Sequence, residues 1–348
     1  MFFRLAIWLL LSGLGLTGCS QPNPLYEEEF YVFGTSVKVS IWGVPIEQAR
    51  QAVDTMARDF QSMHHRWHAW EPGPLVDLNK AIAAGQIWTV KDESLLSLIQ
   101  QSQLLAQQSE GLFNPAVGQL IKLWGFHRSE FPHYDSLPPA TAIAALVASA
   151  PTMADIQLQE NQVWSRNRAV QLDFGAIAKG YAIDLAVKKL QQEGINNAIV
   201  NAGGNLKVIG QKGSEPWRIG IRHPSGQGVL ATISVSGEES VITSGNYERF
   251  REYKGVHYSH IIDPRTGMPV RDVTSVTVID PSGTRADAPA TALTVAGLSD
   301  WQRIAKKMGI KYVMVVDEAA TIYMNPAMAK RIEFQTPQPP KVVLSEPL

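Results

Sequence analysis

The chain is organised around the stretch Gln171-Leu-Asp-Phe-Gly-Ala-Ile-Ala-Lys-Gly-Tyr-Ala-Ile-Asp184, which predicts a turn and a helix that begins near Ile177. Gly175 and Gly180 allow another part of the backbone to approach closely. The first turn of a helix presents unpaired N–H groups and the positive dipole end, which suits phosphate, and Lys179 adds a positive charge there. Neither a Walker loop nor a GxGxxG fingerprint is present. Because a glycine-containing turn before a helix is often purely structural, other segments must decide the function.

The N-terminus has the features of a bacterial lipoprotein signal. A single positive charge at Arg4 precedes an apolar run that ends in Leu16-Thr-Gly-Cys19, a sequence that looks like a lipobox. We predict a signal peptide over 1–18, lipidation of Cys19 and a lipid-anchored tether over 19–27. An ordinary signal peptide with a stray cysteine is the alternative.

The composition limits the chemistry and the partners. Cys19 is the only cysteine, so the sequence predicts no thiol catalysis, no disulfide and no thiolate metal site. The formal net charge is -1 and no basic block is present, which argues against nucleic-acid binding. Ser20 after the lipidated cysteine resembles outer-membrane sorting in Gram-negative bacteria. We therefore expect a periplasmic protein of the cell envelope, held at a membrane by its lipid.

The 348 residues suffice for one large domain or two ordinary ones, and their pattern predicts an α+β fold. The predicted helices cover 45–64, 92–108, a segment after Gly118 up to Trp124-Gly-Phe126, 141–148, 181–192, 291–296 and 301–308. The predicted strands cover 30–42 (a hairpin or a bent strand), 156–164, 169–172, 197–200, 217–222, 231–235, 240–243, 256–262, 275–279, 311–316 and 321–324. We also predict a surface insertion at 128–139 and a disordered tail at 335–348, which has four prolines and no periodicity.

The most specific segment is Tyr258-Ser-His-Ile-Ile-Asp-Pro-Arg-Thr-Gly-Met-Pro269. It predicts a strand that ends at Ile262 and a turn built from Asp, Pro and Gly. His260 and Ile262 are expected on one face of that strand, opposite Ile261. A turn has no need of a histidine, so His260 is either a buried core residue or a functional one.

A second segment, Ala286-Asp-Ala-Pro-Ala-Thr-Ala-Leu293, combines a carboxylate with a hydroxyl. Asp287 fits a helix N-cap with Pro289 tolerated in the first turn, and Thr291 lies four residues later on the same helix face. Oxygen ligands of this kind suit a hard cation such as Mg²⁺. An ordinary capped helix is the competing interpretation.

His64 and His68 are four residues apart in a predicted helix, a spacing that places two imidazoles on one face. No glutamate lies between them and no third ligand is evident from the sequence. Packing of histidines and tryptophans at a helix end is therefore favoured over a zinc site.

Oxygen-rich turns, a helix N-terminus with Lys179 and the absence of a catalytic thiol together predict a Mg²⁺-assisted site for a phosphate-bearing ligand.

The chain resembles the ApbE family of FAD:protein FMN transferases. The resemblance rests on segments that run in order across nearly the whole chain: the lipobox, Phe33-Gly-Thr35, Gly111-Leu-Phe-Asn-Pro115, Leu123-Trp-Gly-Phe126, Leu172–Asp184, Asn201-Ala-Gly-Gly-Asn205, Ser244-Gly-Asn-Tyr247, His260–Gly267 and Ala286–Leu293.

The resemblance implies a single domain over 28–334, with mixed, largely antiparallel sheets flanked by helices. It implies that the protein uses Mg²⁺ and moves FMN from FAD, through a phosphoester bond, to a Thr or Ser hydroxyl of a target protein, with release of AMP. The implied metal ligands are the Ala176 carbonyl, Asp287 and Thr291. The implied flavin-nucleotide contacts are Phe33, Trp70, Leu112, Phe113, Asn114, Asp173, Lys179, His260 and Ile262. His260 and Asp287 are the expected catalytic residues, since one of them must take the proton of the acceptor hydroxyl.

The family also implies extracytoplasmic acceptors, such as subunits of sodium-pumping NADH:quinone oxidoreductases or Rnf-type complexes, and these favour an inner-membrane anchor. Two departures from the family pattern bear on the reaction. Trp70 stands where transferases commonly have Tyr, and the spacing from Trp70 to Asn79 is one residue short. A Mg²⁺-dependent FAD pyrophosphatase therefore remains an alternative, as does a lipid-anchored protein that binds FAD without chemistry.

Overall fold

The computed structural model describes residues 25–128, 136–224, 226, 228–335 and 340–348. In these residues the helices are α1 (Ile46–Trp67), α2 (Pro74–Ala84), α3 (Glu93–Gln108), α4 (Gly118–Leu123), α5 (Ala140–Ala148), α6 (Ala178–Gln192), α7 (Gly283–Lys307) and α8 (Pro326–Ala329). The strands are β1 (Tyr26–Val32), β2 (Thr35–Ile41), β3 (Trp88–Thr89), β4 (Ile156–Gln159), β5 (Gln162–Ser165), β6 (Ala198–Ala202), β7 (Asn205–Ile209), β8 (Trp217–Arg222), β9 (Val229–Val235), β10 (Glu239–Gly245), β11 (Phe250–Tyr253), β12 (Val256–Ser259), β13 (Val273–Asp280), β14 (Tyr312–Asp317), β15 (Ile322–Met324), β16 (Glu333–Phe334) and β17 (Val342–Leu344).

The largest sheet has the strand order β1-β2-β6-β7-β10-β13-β14-β15-β17. All its neighbouring strands are antiparallel except β15 and β17, which are parallel. Smaller sheets have the orders β16-β9-β8 and β3-β5-β4, and β11 pairs with β12. Helices and largely antiparallel strands in this mixture confirm the predicted α+β class.

The two faces of the large sheet are covered by different layers. On one face, α1, α6 and α7 pack over apolar residues such as Ile242 and Val278. On the other face, the sheet of β8, β9 and β16 covers the alternate residues, including Leu206 and Val208. Because side chains alternate along a strand, Asn205 and Lys207 of β7 lie on the helical face. That face carries the candidate site.

The predicted hairpin at 30–42 is confirmed, with a turn at Phe33 and Gly34 in which both residues have positive φ (55° and 69°). Two positive φ values in a two-residue loop are the geometry that matches the twist of a hairpin. The first strand begins earlier than predicted, because Tyr26 and Glu27 pair with Ile41 and Ser40. These two residues therefore belong to the domain, and the predicted tether over 19–27 was too long.

The predicted strand over 169–172 is wrong. Gln171 makes only an isolated parallel bridge with Val117. The backbone N–H and carbonyl of Leu172 bond to the side-chain amide of Asn79 (2.7 and 2.9 Å), so they are satisfied without a neighbouring strand. Asn79 thus fixes the segment that leads into the turn before α6.

The predicted disordered tail over 335–348 is wrong in part, since β17 pairs with β15 at the edge of the large sheet. An unpaired edge strand offers a row of N–H and C=O groups, and the apolar Val342–Leu344 run occupies it. Residues 336–339 lie outside the described residues, as do the predicted signal peptide with Cys19 and most of the predicted insertion at 128–139. Among the helices of the described residues, none is long and apolar enough to cross a membrane.

Candidate active site

The candidate site lies where the N-terminal end of α6 crosses α7. The crossing depends on Gly180 and Gly283, because a Cβ on Gly180 would lie 2.4 Å from the Gly283 carbonyl oxygen and one on Gly283 would lie 2.6 Å from that of Gly180. A Cβ on Gly180 would also lie 2.7 Å from the Cβ of Asp287. The predicted close approach at Gly180 is therefore present, and it brings Asp287 against the first turn of α6.

Asp287 bonds directly to the backbone of α6. Its Oδ2 accepts from the Gly180 N–H at 2.9 Å, a donor that would bond to the Ala176 carbonyl in a regular helix. That carbonyl is thus available to another partner, next to a carboxylate that is only 3% exposed. Thr291 lies one turn after Asp287 on α7. The geometry fits the three predicted ligands Ala176, Asp287 and Thr291, since a hard cation prefers such oxygens.

Asp287 is not the N-cap that its sequence context predicted. The helix begins four residues earlier, and the Ser282 hydroxyl accepts from the Arg285 N–H at 3.3 Å. Asp287 therefore lies in the second turn, and Pro289 lies inside the helix. The carboxylate is consequently free of a capping role and can serve the site.

Burial raises the pKa of the Asp287 carboxyl above its usual value, although the Lys179 ammonium, the Gly180 N–H and the Asn205 side chain act in the opposite direction. A buried carboxylate is costly unless it is paired or coordinates a metal. A cation bound to Asp287 would offset this cost, because its positive charge would pair with the buried carboxylate.

The start of α7 is held by Asp184, the last residue of the central stretch. Its carboxylate accepts from the N–H groups of Gly283 and Thr284 (2.8 and 2.9 Å) and from the Ser282 hydroxyl (2.8 Å). The nearly buried Lys207 ammonium lies 2.8 Å from the same carboxylate. Burial would raise the pKa of Asp184, but the charge and hydrogen bond of Lys207 and the two N–H groups lower it overall. A side chain of α6 therefore caps α7 and fixes the register of the two helices.

His260 follows β12, which ends at Ser259 rather than at Ile262 as predicted. Its Nδ1 lies 3.0 Å from the carbonyl oxygen of Arg249, and a carbonyl can only accept. The proton therefore resides on Nδ1, and Nε2 carries the lone pair. Burial first, then the positive charges of Arg249 and Lys179, lower the pKa of His260 to about 4. His260 is thus a neutral, half-buried imidazole at neutral pH, with an accepting nitrogen.

Trp70 and Asp173, two of the predicted flavin-nucleotide contacts, are in direct contact. The Trp70 indole N–H donates to Asp173 Oδ2 at 2.9 Å, and Asp173 Oδ1 accepts from the Gly175 N–H at 2.8 Å. The Trp70 ring also packs on His127, with ring centroids 5.2 Å apart. The turn before α6 is thus tied to an aromatic pair beside it.

The other predicted contacts have less accessible side chains. Phe33 stacks with Trp67 at a centroid distance of 6.4 Å. Leu112, Phe113 and Ile262 are buried, at 5%, 1% and 7% exposure. The Asn114 amide is used within the fold, where Nδ2 donates to the Pro151 carbonyl and Oδ1 accepts from the Ala116 N–H. A ligand at the loop of residues 112–114 would therefore meet backbone groups.

In the structure, Glu71 lies near His64 and His68 and is a possible third metal ligand, which was not evident from the sequence. Ligand atoms of His64, His68 and Glu71 lie within 4.8 Å of one another. However, His68 Nδ1 accepts from the N–H groups of Trp70 and Glu71 (3.2 and 2.8 Å), so the proton of the neutral ring is on Nε2. A metal on Nε2 would require the proton on Nδ1, opposite two other donors. The packing interpretation is the better match to this arrangement.

Three residues at the site were not singled out by sequence reasoning. Asn205 is 3% exposed and lies on the helical face of β7. Ser244 Oγ lies 3.5 Å from Thr291 Oγ1. The Arg249 carbonyl fixes the tautomer of His260. Asn205 and Ser244 belong to quoted motifs, and the available signal was the alternation of Asn205 and Lys207 with the apolar Leu206 and Val208.

Comparison with known proteins agrees with this architecture. The family model described as the ApbE family matches residues 33–314. The FAD:protein FMN transferase of Rhodobacter capsulatus is 46% identical over 329 residues, which cover 94% of this chain and 62% of that protein. The chain thus spans about three fifths of that relative's length. The FAD:protein FMN transferase of Treponema pallidum (strain Nichols) is 35% identical over 318 residues, which cover 85% of this chain and 86% of that protein.

A solved structure has the same fold. The crystal structure of the ApbE protein of Thermotoga maritima superimposes with a TM-score of 0.79 at 31% identity, and covers 88% of this chain and 99% of that one. The match of sequence and fold over most of the length, with the quoted motifs at the site, leads to one conclusion. The chain belongs to the ApbE family.

Proposed function

We propose that this protein is a Mg²⁺-dependent FAD:protein FMN transferase. The observation that carries the proposal is the buried Asp287 carboxylate, held against the open first turn of α6, where the charge of Lys179 acts on both Asp287 and His260. The names of the relatives support the same activity.

The chain's own groups suit a dinucleotide pyrophosphate. Asp287, Thr291 and the Ala176 carbonyl would hold Mg²⁺, which supplies stabilisation of the negative charge that develops on phosphate oxygens. The N–H groups of the first turn of α6 and the Lys179 ammonium attract a phosphate oxygen. Trp70 offers an aromatic face on the side of the turn that contains Asp173.

The transfer exchanges a phosphoanhydride bond of FAD for a phosphoester bond to the acceptor. The oxygen of an acceptor Thr or Ser hydroxyl bonds to the phosphorus on the FMN side of the FAD pyrophosphate. The bond from that phosphorus to the bridging oxygen breaks, and AMP leaves with the bonding electrons. The hydroxyl proton moves to a base, for which His260 Nε2 is available because Nδ1 is occupied by the Arg249 carbonyl.

The low pKa of His260 in the free protein fits this role. It results from burial and then from the positive charges of Arg249 and Lys179. A low pKa keeps the ring neutral near pH 7, so Nε2 retains the lone pair that a general base needs.

We also propose that the acceptors are extracytoplasmic flavoproteins, such as subunits of sodium-pumping NADH:quinone oxidoreductases or Rnf-type complexes. The lipobox at Cys19 supports anchoring at a membrane on the periplasmic side of the cell envelope. The acceptors favour the inner membrane, and Ser20 favours the outer membrane.

The test is a reaction of the purified protein with FAD, Mg²⁺ and an acceptor domain that contains the target Thr, followed by intact mass measurement. We expect the acceptor to gain the mass of one FMN, with AMP released in equal amount, and Asp287→Ala to abolish both. AMP without labelled acceptor would instead indicate the pyrophosphatase, in which water is the nucleophile. FAD that stays bound and intact would indicate a carrier and refute the transferase.

A further inference from the structure

The Asn205 side chain is buried beside Asp287 without a normal hydrogen bond for its nitrogen. Asn205 is 3% exposed, and in the described part of the chain its Nδ2 has no partner of acceptable geometry. A buried amide nitrogen without an acceptor has lost its hydrogen bonds to water and gained none in the protein. A buried amide nitrogen without a hydrogen-bond partner, in a motif at the site, therefore needs an explanation.

The position of β7 shows where the amide points. Asn205 and Lys207 alternate with Leu206 and Val208, whose side chains pack under the opposite face of the sheet. Lys207 reaches Asp184 of α6 at 2.8 Å. Asn205, two residues earlier on the same face, is close enough to Asp287 for its dipole to favour the charged carboxylate. One strand therefore provides a polar group to each of two carboxylates at the crossing of α6 and α7.

We propose that Asn205 is a positioning residue for the cation site. It donates through Nδ2 to the Asp287 carboxylate when the carboxylate binds a divalent cation. The Gly180 N–H already holds Oδ2 from the side of α6, at 2.9 Å. A second donor from the sheet would leave the carboxylate a single orientation, with its remaining lone pairs toward Thr291. This inference depends on the proposed use of Mg²⁺ and goes beyond it by assigning a residue outside the ligand set.

We expect removal of the Asn205 donor to weaken the binding of the divalent cation. Groups that hydrogen-bond to metal ligands change metal affinity or activity by about 10–100-fold when they are removed. Asn205→Leu keeps the approximate size of the side chain and removes the donor. We expect it to raise the Kd for Mg²⁺ about 10–100-fold and to raise the Mg²⁺ concentration for half-maximal activity by a similar factor. Saturating Mg²⁺ should restore most of kcat, because the catalytic groups are intact.

The Kd is measured on the full chain without FAD, by calorimetry with Mg²⁺ and by electron paramagnetic resonance with Mn²⁺. Asn325→Leu is the matched control, because Asn325 is also buried but bonds to Lys311 and Val313 in β14 and on its flank. It should lower the melting temperature and leave the Kd unchanged. If Asn205→Leu does not fold, Asn205→Ala removes the same donor without adding volume.

The outcomes separate this inference from the proposed function. An unchanged Kd in a folded Asn205 variant would refute the role of Asn205 and leave the magnesium site intact. A loss of activity that saturating Mg²⁺ does not restore would also refute it. A wild-type protein that binds no Mg²⁺ would overturn both the magnesium site and this inference.

Discussion

At the scale of single residues, Asp287 illustrates a carboxylate that is placed for function at the expense of stability. Burial raises the pKa of its carboxyl, while one backbone donor and the Lys179 charge only partly offset that cost. We expect Asp287→Asn to raise the melting temperature of the metal-free protein, because a neutral amide keeps the size and loses the buried charge. The same variant should lose transfer activity about 100-fold or more, since it removes a proposed ligand of the cation.

Differential scanning calorimetry without Mg²⁺ measures the first effect, and intact mass of the acceptor measures the second. Thr294→Val is a suitable control, because Thr294 is also buried in α7, its hydroxyl donates to the Ala290 carbonyl, and it is not one of the proposed ligands. A metal-free Asp287→Asn protein that melts at a lower temperature than the wild type would contradict this account.

His260 carries a different prediction, because we propose that it accepts the proton of the acceptor hydroxyl. We expect His260→Gln to reduce the rate of FMN transfer by about 10²–10⁴, the usual contribution of a general base. Glutamine can still donate to the Arg249 carbonyl, so the fold and the affinity for FAD should change little. Quenched reactions at saturating FAD measure the rate of FMN transfer, and quenching of FAD fluorescence measures the affinity for FAD. An equal loss of transfer rate and of FAD affinity would indicate a binding residue instead of a base.

At the scale of elements, the crossing of α6 and α7 depends on two glycines that face each other. An alanine at Gly180 would meet the Gly283 carbonyl oxygen at 2.4 Å, so the helices would have to separate. We expect Gly180→Ala to lower the free energy of unfolding by about 1–3 kcal/mol, the usual range for overpacking. Binding of Mg²⁺ should weaken as well, since Asp287 moves away from α6.

Gly220→Ala is the matched control, because an added Cβ in β8 meets only the Val229 methyl groups at 3.4 Å. Urea unfolding and calorimetry with Mg²⁺ provide the two measurements. If Gly180→Ala bound Mg²⁺ as tightly as the wild type, the crossing would not be what positions Asp287.

The cap of α7 by Asp184 makes a prediction about pH. The pKa of Asp184 is lowered in the folded protein, despite burial, by Lys207 and by the N–H groups of α7. A lowered carboxyl pKa stabilises the fold above the unfolded pKa, and this contribution is lost as pH falls through the folded pKa. We expect Asp184→Asn to cost about 1–3 kcal/mol at pH 7, because an amide is a weaker acceptor for the N–H groups of α7, while Lys207 keeps the Glu238 carboxylate at 2.8 Å as a partner. In urea unfolding, the difference from the wild type should shrink as the pH falls below the ordinary aspartate pKa of about 3.9 in the unfolded chain. A difference that is constant with pH would contradict this role.

Local patterns predicted most elements but not their contacts. The helix predicted over 92–108 is α3, with Asp92 as its N-cap, and the hairpin of β1 and β2 is one of the two structures predicted for 30–42. The spacing of Asp287 and Thr291 was correct on one helix face, whereas the predicted N-cap was wrong because Ser282 begins the helix one turn earlier. The decisive bond, from Gly180 to Asp287, joins residues 107 positions apart. Periodicity reports only local neighbours, so no pattern could place that pair.

At the scale of the whole molecule, the tail shows how composition can mislead. Four prolines and the lack of periodicity predicted disorder, but Val342–Leu344 finds the edge of an existing sheet. The Ile322 N–H donates to the Lys341 carbonyl at 2.8 Å, and the Ser345 N–H donates to the Met324 carbonyl at 3.0 Å. Three residues cannot form a strand alone, so the structure of the tail is a property of the assembled sheet.

Deletion of residues 341–348 tests whether β17 completes the sheet. We expect the deletion to lower the free energy of unfolding by about 1–3 kcal/mol, as estimated from the few backbone hydrogen bonds that it removes. The amide of Ile322 should lose its protection from hydrogen exchange, because the Lys341 carbonyl is its acceptor. The exposed edge of β15 should also make the protein more prone to self-association, which light scattering detects.

FMN transfer should keep its initial rate, because β17 lies at the far edge of the sheet from β7, next to which α6 and α7 cross. Unchanged exchange at Ile322 would mean that the tail is disordered in solution, as its composition predicted.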